Sequence, residues 1–350
     1  MNLEGLYRLF QDDKSILILM YTLKYDGVTK SLIGLMEALK KGGYRVEVVT
    51  LLKQEEMDFI KSYGIYASEH ELWKAIEQGS IALPFLEKVD VLIAYDGILT
   101  SWGVGQVQGC KKKMTWLHAG YEVSHKGFQL NYTKMLYEKM NFLVCVSHQV
   151  KEDYRRFLGD SFETRLKVIY PIVNREVIQR MSGEQRNEKE RLPTVVSVGR
   201  LSTEKGFERL IHVHNQLQQE GYRHRLLILG EGEEKEALED LIQIMHIEES
   251  CILMGYQSNP YIMMQQATCI VSASYGEGLP LVLIEAMLLY RPIVATDVMG
   301  NHELLKDDLG LLVENSQKGL YLGIKRMLTE SSLRAYYTKR LKETRDYPFE

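Results

Sequence analysis

Long apolar runs are missing from this 350-residue sequence. The longest early one, Ser15 to Leu23 (SILILMYTL), has about half the roughly 20 residues that a membrane-crossing helix needs. Asp12 and Asp13 stand before it, where a signal peptide carries positive charge, so the run reads as a buried strand and the chain is expected in the cytoplasm. Cysteine is scarce as well. Cys110, Cys145, Cys251 and Cys269 show no CxxC and no metal spacing, and each sits in or near an apolar run, as reduced core thiols do. Neither sign of charge dominates: 43 Lys+Arg stand against 47 Asp+Glu, a net of −4, so no basic field points to nucleic acid. The first strand is not followed by GxGxxG, and Gly230–Gly232 (GEG) falls short of that fingerprint, which argues against a nicotinamide or flavin enzyme. There is no Walker A sequence and no Asp-x-Asp, so no metal and no cofactor is expected. Repeats and low-complexity tracts are absent too, and 45% apolar with 26% charged residues excludes a disordered, collagen-like or coiled-coil chain.

What is present is an alternation of short apolar runs and longer amphipathic stretches. Strand-like runs are Ser15–Tyr21, Arg45–Leu51, Val89–Tyr95, Lys113–His118, Phe142–Ser147, Lys167–Val173, Thr194–Arg200, Arg225–Glu231, Cys251–Gly255, Cys269–Ser274 and Pro292–Asp297. They are continuously apolar rather than alternating, as strands covered on both faces are, which predicts parallel sheets. Helical patterns between them include Lys30–Lys41, Gly206–Glu220, Glu233–Met245 and Leu281–Tyr290. The fold class is therefore α/β, with doubly wound sheets and right-handed crossovers. Asn174 to Arg191 is polar and carries no strand pattern. It reads as a linker, giving domains at 1–172 and 192–335, a linker at 173–191 and a last helical segment at 336–350.

In open α/β sheets, ligands sit beyond the carboxyl ends of strands. Four segments qualify. In Ser272–Ala286 (SASYGEGLPLVLIEA) a strand ends near Ser274, Glu277 sits in a Gly-rich turn, and Pro280 takes the first helical position. The free amides of that helix start suit a diphosphate, and Glu277 and Glu285 could each grip a vicinal diol. The bland alternative makes Glu277 a solvated turn residue and Glu285 a surface one. It weakens for Glu285, whose neighbours Leu283, Ile284, Ala286 and Met287 are apolar. In Val195–Phe207, Arg200 and Lys205 stand at a strand end and a helix mouth, a poor place for cations unless an anion binds there. A surface salt bridge from Arg200 to Glu204 or Glu208 is the competing reading. His118 ends a strand before Ala119-Gly120, poised for a sugar hydroxyl or a leaving group, with a capped or core-satisfied histidine equally open. Gly27, in Tyr25-Asp26-Gly27-Val28, would let backbone approach a phosphate. His212 and His214 lie on a helix without metal partners. Lys111–Lys113, near Trp102 and Trp116, read as a solvated turn or as a weak peripheral contact with an anionic membrane.

Taken together, these segments resemble glycosyltransferase family 4, the retaining sugar-nucleotide enzymes of the GT-B fold. GRLSTEKGF (Gly199–Phe207) is similar to the family's Gly-Arg-x-x-x-x-Lys-Gly stretch. YGEGLPLVLIEAM (Tyr275–Met287) is similar to its Glu-x7-Glu motif, and VCVSHQVKEDY and VIYPIVN resemble the end of its first domain. The resemblance implies two Rossmann-like domains facing a cleft, an acceptor-side first domain and a donor-binding second one, with the last helix returning to the first. It implies that Arg200 and Lys205 contact the donor diphosphate, that Glu277 holds the transferred sugar and Glu285 the ribose, and that the amides of Gly278, Leu279 and Leu281 line the phosphates. His118 matches a histidine close to the donor sugar, and Tyr256 would flank the base. The family's first loop usually reads Gly-Gly; here it is Asp26-Gly27.

The expected activity is retaining, metal-independent transfer of a hexose or N-acetylhexosamine from a nucleotide-diphosphate sugar. UDP is the expected nucleotide. The acceptor would be a glycan, lipid-linked or protein acceptor in bacterial envelope or capsule polysaccharide synthesis, at the inner face of the membrane. Two other classes stay open. One is a nucleotide-sugar epimerase of the same fold; the other is a catalytically silent GT-B subunit that binds a partner.

Overall fold

The computed structural model describes residues 7–10, 13–20, 27–50, 66–67, 89–95, 97–107, 110–121, 130–183, 192–344 and 347. Tyr25-Asp26 of the expected phosphate loop and residues 184–191 of the expected linker lie outside them. The chain divides into two units, Met1–Ile172 with Pro348–Glu350, and Val173–Tyr347.

The first unit holds β1 (Ser15–Met20), β2 (Arg45–Thr50), β3 (Tyr66–Ala67), β4 (Val91–Ala94), β5 (Lys112–Leu117), β6 (Phe142–Cys145) and β7 (Leu166–Val168). They form one sheet in the order β3-β2-β1-β4-β5-β6-β7. Every pairing in it is parallel. Helices α1 (Gly27–Lys41), α2 (Gly97–Gln106), α3 (Leu130–Glu138) and α4 (His148–Leu158) connect the strands. All six residues of β1 and all four of β4 are buried. Continuous burial of this kind is why the strands carry no polar alternation. Cys145, Cys251 and Cys269 are buried free thiols, and burial pushes Cys251 and Cys269 up to about 12.

The second unit repeats the plan with β8 (Thr194–Val198), β9 (Arg225–Leu229), β10 (Cys251–Leu253), β11 (Cys269–Ser272), β12 (Ile293–Thr296) and β13 (Leu311–Val313), in the order β10-β9-β8-β11-β12-β13. Its helices are α5 (Arg175–Ser182), α6 (Phe207–Gln219), α7 (Lys235–Ile244), α8 (Tyr261–Gln266), α9 (Leu281–Leu288), α10 (Met299–Leu305), α11 (Gln317–Thr329) and α12 (Ser331–Glu343). Val195, Phe207, Leu210, Ile211, Ile228, Val271 and Val294 sit in one apolar core between sheet and helices. Both sheets reverse direction of winding once, between β1 and β4 and between β8 and β11. Such switch points open a crevice at the strands' carboxyl ends.

Three features differ from the sequence reading. Strands β3 and β13, of two and three residues, are not among the apolar runs read from the sequence. Part of the expected linker is helix α5, capped by the Asn174 side chain on the Val177 amide. It buries Ile178 and places Gln179 against the Leu288 carbonyl, so it packs on the second unit. Pro280 is the residue before α9, with an extended ψ of 113°, and Leu281 is the first helical residue. Helix α12 sits on α11, with Arg334 Nη1 donating to the Met327 carbonyl at 2.7 Å; residues 348–350 of the expected returning segment lie outside the described residues.

Candidate functional site

The crevice between β8 and β11 gathers most of the residues singled out from the sequence. Val196 pairs with Ile270, so the two strands end level and their loops emerge side by side. The Tyr275 amide donates to the Glu204 carbonyl at 2.8 Å, tying one loop to the other. Gly206 makes this approach possible. Its φ is +65°, and a Cβ there would collide with the Ala273 carbonyl. Gly230, from the end of β9, presses in the same way on the Gly199 carbonyl.

On this floor Lys205 Nζ donates to Glu277 Oε1 at 2.7 Å, and Ser274 Oγ donates to the same oxygen at 2.6 Å. Both charged side chains are largely covered, at 25% exposure for Lys205 and 11% for Glu277. A partly desolvated pair of this kind fixes both groups in place. It also answers the sequence's misplaced cation: Lys205 closes a short 3-10 turn, Thr203–Lys205, and its counter-charge in this structure is Glu277. Arg200 follows the bland reading instead. Its Nη2 donates to Glu204 Oε1 at 2.6 Å, in a pair about 45% exposed on each side.

Beneath the turn lies a group the sequence did not flag. Arg209, on α6, is 5% exposed. It donates to the Ala273 carbonyl at 2.9 and 2.5 Å, to Ser274 O at 2.9 Å and to Asn315 Oδ1 at 2.8 Å. Its guanidinium also lies 3.7 Å from the centre of the Tyr275 ring. These contacts hold residues 273–275 in place and so fix the approach to Glu277. An arginine on an amphipathic helix reads as a surface residue, and no local pattern separates the two cases. Ser274 had a fainter signal: a hydroxyl just past a strand end, three positions before Glu277.

After the turn, Gly278, buried Leu279 and Leu281 lead into α9, whose first residues have no side-chain cap. The helix start therefore offers amides to the crevice. Glu285, one turn further on, is 3% exposed and accepts a hydrogen bond from Tyr261 Oη at 3.1 Å. The surface reading of Glu285 is thus excluded. Tyr256 is 44% exposed just beyond β10.

The remaining candidates lie in the first unit. Gly27 is the exposed first residue of α1. His118 follows β5, with its ring 4.7 Å from that of Tyr95 in an edge-on contact. Burial pulls its pKa down to about 4, against the opposing hydrogen bond to the Tyr95 backbone. Its Nε2 is buried and has no hydrogen-bond partner among the described residues. A neutral imidazole whose Nδ1 donates to a carbonyl leaves Nε2 as an acceptor. Lys111 and Lys112 are ion-paired with Asp90 and Asp13, at 2.5 and 2.7 Å. Trp116 is buried and Trp102 half-buried. No described helix is long and apolar enough to cross a membrane.

The family model "Glycosyl transferases group 1" matches residues 180–344, which contain the whole β8–β11 crevice. A curated relative from Campylobacter jejuni, N-acetylgalactosamine-N,N'-diacetylbacillosaminyl-diphospho-undecaprenol 4-alpha-N-acetylgalactosaminyltransferase, is 32% identical over 59% of this chain and 56% of its own length. The chain thus matches only about half of that relative. Among solved structures, Anabaena HepE with UDP and glucose superposes with a TM-score of 0.76 at 16% identity, covering 93% of each chain. Staphylococcus aureus TarM, crystallised with UDP and alpha-GlcNAc-glycerol, gives 0.74 at 15% identity over 94% of this chain and 96% of that one. These likenesses establish the fold, which is GT-B.

Proposed function

We propose that the chain is a retaining glycosyltransferase of family 4 that moves a hexose or N-acetylhexosamine from a nucleotide-diphosphate sugar, with UDP as the nucleotide. The acceptor is a glycan, lipid-linked or protein acceptor of bacterial envelope or capsule polysaccharide synthesis, met at the cytoplasmic face of the membrane. The observation that carries this reading is the Lys205–Glu277 pair at the switch point of the second sheet, beside the uncapped start of α9. The Campylobacter relative's name, a transfer onto a diphospho-undecaprenol-linked sugar, and the UDP bound in HepE and TarM support it.

In this reading the second unit binds the donor. The amides of Gly278, Leu279 and Leu281 meet the diphosphate, and Lys205 faces the charge that grows on the leaving phosphate as the glycosidic bond breaks. Arg200 joins it by giving up an exposed bond to Glu204, which is worth little. With Lys205 and helix amides as counter-charge, no metal is required. Glu277, oriented by Ser274 and Lys205, accepts hydrogen bonds from hydroxyls of the transferred sugar. Glu285 takes the ribose, Tyr256 flanks the base, and Gly27 lets backbone approach phosphate. His118 Nε2 accepts from a sugar hydroxyl.

The test is a panel of UDP-, GDP- and ADP-sugars scored for thermal stabilisation and slow hydrolysis. A UDP-sugar should raise Tm and be hydrolysed, and Arg200→Ala with Lys205→Ala should abolish both while the apo fold persists. A panel without any Tm shift, or full activity in the double variant, refutes the proposal. UDP-GlcNAc without acceptor should yield no new UDP-sugar; an epimerase would release one.

A further inference from the structure

The Tyr261–Glu285 bond has no counterpart in the motifs. Tyr261 opens α8, and its position is fixed from two directions. Its amide donates to Asn259 Oδ1 at 3.2 Å, and Asn259 Nδ2 donates to the Met181 carbonyl at 2.8 Å. The phenol is thereby delivered to Glu285 Oε1 at 3.1 Å from a different helix. Burial and the neighbouring Glu285 charge both hold the phenol pKa well above its usual value, so it stays a donor throughout the working range of any enzyme. A carboxylate that is 3% exposed on α9 is thus met by a rigidly held O–H.

We infer that Tyr261 is a positioning residue for recognition of the donor's ribose: its hydroxyl sets the orientation of the Glu285 carboxylate that receives the ribose hydroxyls. This rests on the proposed donor site. The physical argument is one of pre-organisation. A carboxylate swings about its last torsion, and binding a diol costs the freedom lost when that swing stops. A fixed phenol donor removes the cost beforehand. Removing the O–H takes that one fixed donor away from the carboxylate.

The experiment measures binding by calorimetry and steady-state kinetics for the wild type, Tyr261→Phe and Glu285→Gln. Each is titrated with UDP and with 2',3'-dideoxy-UDP. Tyr261→Phe keeps the ring and its packing; thermal unfolding without ligand checks the fold. The expected result is about a tenfold weaker Kd for UDP and a similar rise in KM for the UDP-sugar, with kcat within about twofold. For the dideoxy nucleotide, wild type, Tyr261→Phe and Glu285→Gln should bind alike, because the contact that Tyr261 supports is gone. Equal weakening toward both nucleotides, which a merely structural role gives, overturns the inference, and so does an unchanged UDP affinity. Failure of the wild type to bind any nucleotide overturns the donor-site reading and the inference with it, and is told apart by the wild-type titration alone.

Discussion

Lys205 and Glu277, 72 positions apart in the chain, share a 2.7 Å charge-assisted hydrogen bond above the junction of β8 and β11. In the absence of donor each neutralises the other, so the site has a resting state without a bare buried charge. Replacing Lys205 by Met should lower kcat/KM by about 10²- to 10³-fold if it faces the leaving phosphate. Glu277→Ala leaves the lysine unpaired and should cost about 2 kcal/mol in urea unfolding. Glu277→Gln keeps an acceptor and should cost about half as much. Steady-state assays and denaturation curves on the three variants check both halves.

Gly206→Ala should be among the most damaging single-methyl changes in the second unit. The new Cβ meets the Ala273 carbonyl at a φ of +65°, so the loop must shift or unwind. A loss of about 2–3 kcal/mol is expected. Because Ala273 leads directly into Ser274, activity should fall further than stability explains. Comparing kcat/KM at a temperature where the variant is fully folded isolates that part.

Stability should decline as pH falls below about 6.5. His214 and His224 are both 2% exposed, with Nδ1 of the first 2.8 Å from Nε2 of the second. His214 Nε2 lies 2.9 Å from Ser250 Oγ, and His224 Nδ1 donates to the Tyr222 carbonyl at 2.7 Å. Burial, with His224 adding to it, pulls His214 down to about 3, and burial lowers His224 too. The unfolded chain, with histidines near 6.5, binds more protons than the folded one between these values. Stability is therefore complete above about 6.5 and is lost on acidification, by about 2 kcal/mol at pH 5 on His214's account. His214→Gln should flatten the slope of unfolding free energy between pH 5 and 7. An unchanged slope contradicts this assignment.

His118 should leave no mark on the pH–rate profile near neutrality. With a pKa of about 4, its ring is uncharged throughout the working range. A flat kcat/KM from about pH 5.5 to 7.5 is expected, and the wild-type profile should not change there in His118→Gln, which retains an acceptor. An inflection near 6.5 that vanishes in His118→Gln would show a charged imidazole at work instead.

The strands were legible because parallel strands buried on both faces announce themselves as apolar runs; β3, with two residues, is too short to do so, and β13 was passed over although β7 and β10, edge strands of the same length, were read. The place of Lys205 and Glu277 past strand ends was legible; the hydrogen bond between them was not. Arg200 was legible as one of two options, and its Glu204 partner was the blander one. Arg209, Ser274 and Tyr261 were hidden for a common reason. Their importance lies in reaching the Ala273 carbonyl, Glu277 and Glu285 from elsewhere in the chain, and no local pattern encodes a long-range partner. Helix α5 was hidden because only Ile178 and Ser182 of its eight residues are buried.

At Gly206 and Gly230 a Cβ would meet the Ala273 and Gly199 carbonyls, backbone groups that cannot step aside as a side chain can, so neither glycine can be exchanged. A larger residue at either one would move the loops that carry Lys205 and Glu277. Room for diversification is confined to the rim, where Tyr256 and Tyr275 project half-exposed. Libraries aimed at new sugar nucleotides should randomise those two positions and leave the glycines alone.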